Sequence, residues 1–136
     1  MSKNTVWTLC FDGGASPNPG IGRCAFKAES EDGTIIEDKW RMDGIRTNNE
    51  AEWEAVTVGI ERIVKAHPDT EIIKVIGDSL LVIQQIKGIY AVKNYKLRGY
   101  RQRIGNIEER YKIAITAHHV HREHNSEMDT ACKSAC

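Results

Sequence analysis

Hydrophobic residues along this chain change period several times, and each change marks an element. Residues 5–11, Thr-Val-Trp-Thr-Leu-Cys-Phe, carry the β-branched and aromatic side chains of a strand. The stretch Asp12-Gly-Gly-Ala-Ser-Pro-Asn-Pro-Gly20 breaks that pattern and reads as a turn-rich loop. Residues 22–29 and 34–41 predict two further strands, with Glu31-Asp32-Gly33 as the tight turn between them. From Asn49 the period becomes helical. Ala55, Val56, Gly59, Ile60 and Ile63 fall at i, i+3, i+4 spacing, and the helix runs to about Ala66, where His67-Pro68 ends it. Residues 71–76 form a short apolar run of the kind buried in a parallel sheet. Helical segments follow at 79–87 and 96–110, then a last strand at 112–119 and a short last helix at 126–135.

Three strands, a helix, a strand, helices, a strand and a helix describe an α/β fold with a mixed five-stranded sheet. Hairpins join the first three strands, and right-handed crossovers carry the later ones. At 136 residues, without repeats or linker-like stretches, the expectation is one domain.

Composition adds little to that picture. With 40 % hydrophobic and 28 % charged residues the chain is ordinary globular material. No apolar run approaches the ~18–20 residues needed to span a bilayer, and no signal-type segment follows Met1-Ser2-Lys3-Asn4, so a cytoplasmic protein is expected. Cys10, Cys24, Cys132 and Cys136 show no C-x-x-C spacing, so buried thiols are expected for the first two and no zinc site for any. The formal net charge is zero and argues nothing about nucleic acid. Its distribution says more. Between Ile72 and Ile107 the only acid is Asp78, against Lys74, Lys87, Lys93, Lys96, Arg98, Arg101 and Arg103. That cluster reads either as a solvated face or as a phosphate-facing surface.

Most of the acids need no functional explanation, and the first long helix separates them. Extending its apolar stripe back one turn lands on Glu52, while Glu54 and Glu61 fall on the polar side. Glu50 completes Thr47-Asn-Asn-Glu50, a capping-box pattern. Glu52 is therefore the helical acid that points inward. A buried carboxylate without a partner costs several kcal/mol and calls for a cation, unless the side chain snorkels at the edge of the stripe. Asp12 closes the first strand, and Asp78 follows Ile72-Ile73-Lys74-Val75-Ile76 just before a helix. Either alone reads first as a turn or cap residue, but the pair says more, because in open α/β sheets ligands gather at the carboxyl ends of parallel strands. Asp129 lies in Ser126-Glu-Met-Asp129, again a capping-box pattern. Carboxylates gathered at one sheet edge make chemical sense around hard divalent cations such as Mg²⁺.

The surrounding residues add a resemblance. Phe11-Asp12-Gly13-Gly14-Ala15-Ser16-Pro17-Asn18-Pro19-Gly20, Thr47-Asn48-Asn49-Glu50-Ala51-Glu52, Gly77-Asp78-Ser79 and Arg122-Glu-His-Asn125-Ser-Glu-Met-Asp129 resemble, in order, the four motifs of type 1 ribonucleases H. The set spans nearly the whole chain. It implies a ribonuclease H-like fold over residues 1–136, with helices on both faces of the sheet, and an endonuclease that cuts the RNA strand of RNA–DNA hybrids. It further implies two Mg²⁺ ions, with Mn²⁺ as substitute, held by Asp12, Glu52, Asp78 and Asp129, and products with 3′-hydroxyl and 5′-phosphate ends. Gly13, Asn18, Asn48 and Asn49 match hybrid-binding positions along the minor groove, the groove that displays the 2′-hydroxyls. Thr47 matches a position that helps hold a DNA-strand phosphate.

Three departures from the family pattern qualify that reading. Many members carry Gln two residues after the third acid, where this chain has Leu80. Many have a long basic protrusion before the last strand. The segment Gln84 to Arg98 resembles instead the shorter, handle-less subgroup, with Lys93, Asn94 and Arg98 as the implied phosphate contacts. The loop before the fourth acid is short, so His124, His121 or Arg122 is left to assist product release. Two other functions compete: an integrase-like or junction-resolving enzyme on the same fold, and a non-catalytic hybrid-binding module. Asp12 is followed by Gly13-Gly14 rather than by the D-x-E of related exonucleases, and all four acids are present. A monomer is the default.

Overall fold

The computed structural model describes residues 5–121 and 123. Five strands form one mixed sheet: β1 (Val6–Ala15), β2 (Gly20–Ser30), β3 (Ile35–Arg46), β4 (Ile72–Gly77) and β5 (Ala114–His119), in the spatial order β3-β2-β1-β4-β5. β1, β2 and β3 pair antiparallel, and β4 runs parallel to both β1 and β5. Three helices complete the described chain: α1 (Asn48–Ala66), α2 (Leu80–Ile86) and α3 (Tyr95–Tyr111). The helix expected over 126–135 lies outside the described residues.

Alternation places the core. On β1, Trp7, Leu9 and Phe11 are fully buried while Val6, Thr8 and Cys10 are half-buried on the other side. α1 lies on the buried face with Val56, Ile60 and Ile63 pointing into it. Its approach is close at Gly59, where a Cβ would come within 2.9 Å of Leu9 and 3.2 Å of Phe26. Val82 and Ile83 of α2 and Ile104 of α3 join the same cluster. Each large apolar side chain buried this way contributes roughly 1.5–3 kcal/mol. α1 starts at the expected capping box: Thr47 accepts from the Glu50 amide, and the Glu50 side chain accepts from the Thr47 amide. It ends at His67, as the following proline requires.

Two strand ends differ most from the sequence reading. β1 does not stop at Asp12 but continues to Ala15, because β2 runs beside it and pairs Gly13 with Cys24, Gly14 with Arg23 and Ala15 with Gly22. Glycines that look like loop formers are held as strand by a partner that satisfies their backbone. The loop shrinks to residues 16–19. β3 likewise extends to Arg46, where Ile45 and Arg46 pair with Ile21 and Gly20 across a bulge in the ladder. No helix among the described residues is long and apolar enough to cross a membrane.

Candidate active site

The parallel ladder between β1 and β4 stops at Cys10 opposite Ile76. Asp12 on β1 and Asp78, just past the end of β4, therefore lie side by side beyond the last parallel pair. Glu52, in the first turns of α1, reaches the same place. The three carboxylates each offer an oxygen, and those oxygens lie within 4.8 Å of one another. Asp12 and Glu52 are buried and Asp78 half-buried. Gly13 makes this convergence possible. A Cβ there would stand 2.3 Å from the Ala51 carbonyl carbon and 2.5 Å from the Glu52 amide nitrogen, so a side chain would hold α1 away from β1. Cys24, on the neighbouring strand, donates its thiol to the same Ala51 carbonyl at 3.3 Å.

The electrostatics follow from the crowding. Burial, first, and the negative charges of Asp12 and Asp78, second, hold the Glu52 carboxyl well above its ordinary pKa; its proton is further favoured by a hydrogen bond to Asp12. The Gly13 amide donates to Glu52 and pulls weakly the other way. Glu52 Oε2 is buried with no hydrogen-bond partner among the described residues, and no Lys or Arg among them ion-pairs with this side chain. An orphaned buried carboxylate oxygen facing two further carboxylates is an all-oxygen, anionic donor set that fits a hard divalent cation. Glu52 thus does not snorkel at the stripe's edge.

The remaining sequence-derived residues divide into several groups. Asp129 and His124 lie outside the described residues, as does Arg122. His121 is exposed, with its ring packed edge-on against His119 at a centroid distance of 6.0 Å; the His119 Nε2 contacts the Asp78 carbonyl at 3.3 Å. Asn18, Thr47, Asn48 and Asn49 are gathered at the start of α1, beside the acids. The Asn48 amide donates to Asn18 Oδ1 at 3.1 Å and Asn48 Oδ1 accepts from the Ala15 amide at 2.7 Å, which ties the 16–19 loop to the helix. Lys93 and Arg98 are exposed on the α2–α3 loop and α3. Asn94, however, is the N-cap of α3, its Oδ1 accepting from the Lys96 and Leu97 amides, and Arg98 donates to the Lys93 carbonyl at 2.9 Å. Leu80 is about half exposed at the start of α2.

The basic stretch is not one surface. Arg101 pairs with Glu108 and Arg103 with Glu61, while Lys74 sits on β4 and lines a groove with Thr8, Cys10 and Lys27 on the sheet face away from α1. Lys87, Lys93, Lys96 and Arg98 remain exposed around the α2–α3 connection. Glu54, on the polar side of α1 as expected, is half-buried there, and its two oxygens accept from Trp40 Nε1 and the Tyr100 hydroxyl, both at 2.8 Å. The Gly13 amide was missed as a partner of Glu52, and the signal for it was the glycine directly after a strand acid. Cys24 is buried as expected, whereas Cys10 is only half-buried.

Comparison with known proteins places this arrangement. The model of the reverse transcriptase-like family matches residues 11–135. Ribonuclease HI of Halobacterium salinarum is 31% identical over 126 residues, which cover 92% of this chain; the chain spans 61% of that protein's length. The crystal structure of RNase H1 from the same archaeon superposes with a TM-score of 0.83 at 28% identity, covering 96% of both chains. LC11-RNase H1, solved in complex with an RNA/DNA hybrid, superposes with a TM-score of 0.84 at 30% identity, covering 95% of both.

Proposed function

The chain belongs to the type 1 ribonuclease H branch of the reverse transcriptase-like family, and on that premise we propose that it hydrolyses the RNA strand of RNA–DNA hybrids. The observation that carries the reading is the convergence of Asp12, Glu52 and Asp78 within 4.8 Å, with Glu52 Oε2 buried and unpartnered. We assign this cluster to divalent cations, Mg²⁺ with Mn²⁺ as substitute, two per site, with Asp129 as the fourth acid. Such ions, when bound, would activate the attacking water and neutralise the leaving oxygen of the phosphodiester.

The chain's own residues then have distinct tasks. Glu52 is buried in the cluster beside Asp12 and keeps an orphan oxygen, and a cation bound there would relieve the mutual repulsion of the acids. Asp12 and Asp78, fixed by adjacent parallel strands, hold the opening. Gly13, Asn18, Asn48 and Asn49 form the rim where a minor groove would lie, and Thr47 stands beside them for a DNA-strand phosphate. The hydrogen bonds among Asn18, Asn48 and Ala15 set that rim before substrate arrives. Lys93 and Arg98 offer charge on the α2–α3 side. The short connection there fits the handle-less subgroup. The fold acts as one catalytic unit, monomeric and cytoplasmic, with 3′-hydroxyl and 5′-phosphate products, and His124 is the candidate to assist product release.

Cleavage of four substrates in Mg²⁺ tests the reading: RNA–DNA hybrid, double-stranded RNA, double-stranded DNA and single-stranded RNA. The hybrid alone should be cut efficiently. Equal cutting of hybrid and double-stranded RNA would contradict hybrid specificity, and Leu80 marks the position where that specificity is most exposed to failure.

A further inference from the structure

α2 buries Val82, Ile83 and Ile86 in the core, and on the same side it buries Gln85, which is 7% exposed. A primary amide in such a place costs free energy unless both ends are bonded. Both are. Trp53 Nε1 donates to Gln85 Oε1 at 3.1 Å, and Gln85 Nε2 donates to the Ala91 carbonyl at 3.1 Å. The two contacts fix the amide's orientation, because an indole N–H can only donate and a carbonyl can only accept. Trp53 is fully buried and directly follows Glu52 on α1. Ala91 lies in the middle of the α2–α3 connection, with exposed Ile89 and Tyr90 before it and exposed Lys93 after it.

The rest of that connection is tied to its own ends. The Ile89 and Tyr90 amides donate back to the Gln84 carbonyl. Beyond it, Asn94 caps α3 and Arg98 reaches back to the Lys93 carbonyl. The buried Gln85 side chain joins the middle of the loop to the helix bearing Glu52, and Val92 in the same loop packs on the core. We propose that Gln85 is a positioning residue, which holds the 88–93 loop at a fixed spacing from the carboxylate cluster so that the loop's basic and aromatic side chains meet the hybrid in register with the cleavage site. This rests on the reading of the chain as a hybrid-cleaving enzyme.

The test is steady-state cleavage of an RNA–DNA hybrid, with hybrid affinity measured over a range of salt, for the wild type, Gln85→Met and Gln85→Asn. Met keeps the volume and removes both bonds. Asn keeps the amide but is one methylene too short to span Trp53 and Ala91, and it serves as an independent second variant if Met impairs folding. KM and Kd should rise about five- to tenfold, the effect of releasing a loop held by a hydrogen bond. The salt slope should shallow as loop contacts are lost. At saturating hybrid kcat should stay within about twofold, and Mn²⁺ affinity should be unchanged, because the carboxylates are untouched. Backbone amides of 88–93 should exchange faster, and those of α1 should not. A folded variant with wild-type KM and salt slope overturns the proposal, as does one in which kcat and Mn²⁺ affinity fall together. A wild type that neither binds nor cuts the hybrid would instead overturn the functional reading beneath it.

Discussion

Glu52 and Glu54 stand two residues apart on one helix and have opposite fates. Glu54 lies between β3 and α3, where Trp40 and Tyr100 each donate to one of its oxygens. Its negative charge and hydrogen-bonding capacity are used inside the protein, and in return it holds the Tyr100 hydroxyl above its ordinary pKa, after burial itself. Glu52 turns to the other side, against Asp12 and Asp78, and keeps an oxygen with no donor. The fold thus gives both oxygens of the half-buried Glu54 a donor and leaves an oxygen of the buried Glu52 without one among like charges. A fold pays free energy for such a group where something from outside completes it.

Substitution at the two positions separates these fates most sharply. Glu52→Gln should lower hybrid cleavage by at least about a thousandfold, since it removes a charged ligand at the centre of the cluster. It should leave the metal-free protein as stable as the wild type or more so, because repulsion falls. Asp12→Asn should behave in the same way. Thermal or urea unfolding beside a cleavage assay checks both, and a marked loss of metal-free stability would mark these acids as structural. Next in size is the metal itself. Mg²⁺ or Mn²⁺ at about a hundred times its dissociation constant should stabilise the wild type by roughly 2.7 kcal/mol and Glu52→Gln by much less.

Glu54→Gln should show the reverse profile. One oxygen becomes an NH₂ facing a donor, so stability should drop by about 1–2 kcal/mol while kcat stays within a few-fold of wild type. A loss of turnover without a loss of stability would erase the contrast between the two glutamates. The pH dependence is smaller. The Glu52 carboxyl is raised when folded, so the native state holds a proton that the unfolded chain has released. Its contribution to metal-free stability is therefore full below the unfolded value of about 4.5 and is lost as pH rises through the folded value. Unfolding at successive pH values should show this decline in the wild type and not in Glu52→Gln. Smallest is the effect of Lys93→Ala with Arg98→Ala, which should reduce the salt slope of hybrid binding by up to about 2. An unchanged slope would remove that surface from the phosphate path.

Glu52 was legible in the sequence because its reason is local: a helical stripe of period 3.6 extends back onto it. The inward acid and the capping Glu50 could be told apart without any structure. Glu54 was not legible, since its partners sit 14 and 46 residues away and only the packing of β3 and α3 on α1 brings them in. Asp12 does join Glu52 and Asp78, but not for the reason the sequence suggests. It does not end its strand; it lies beyond the last parallel pair with β4, a fact of register between strands more than sixty residues apart. The basic stretch misled for the same reason. Seven cations close in sequence are divided by β4 and α3 among a groove behind the sheet, two surface ion pairs and the α2–α3 loop. The Gln85 bridge, which depends on three elements meeting, left no mark in the sequence pattern.

In the proposed mechanism Asp12, Glu52 and Asp78 together hold the metal that hybrid cleavage requires. A crystal of the protein soaked in Mn²⁺, at a concentration that supports cleavage, tests it directly through anomalous scattering. Density bonded to Glu52 and shared with Asp12 and Asp78 is expected, bridged by Asp12 to a second site that Asp129 touches. Full activity at that Mn²⁺ concentration with no anomalous density among the three carboxylates would contradict it.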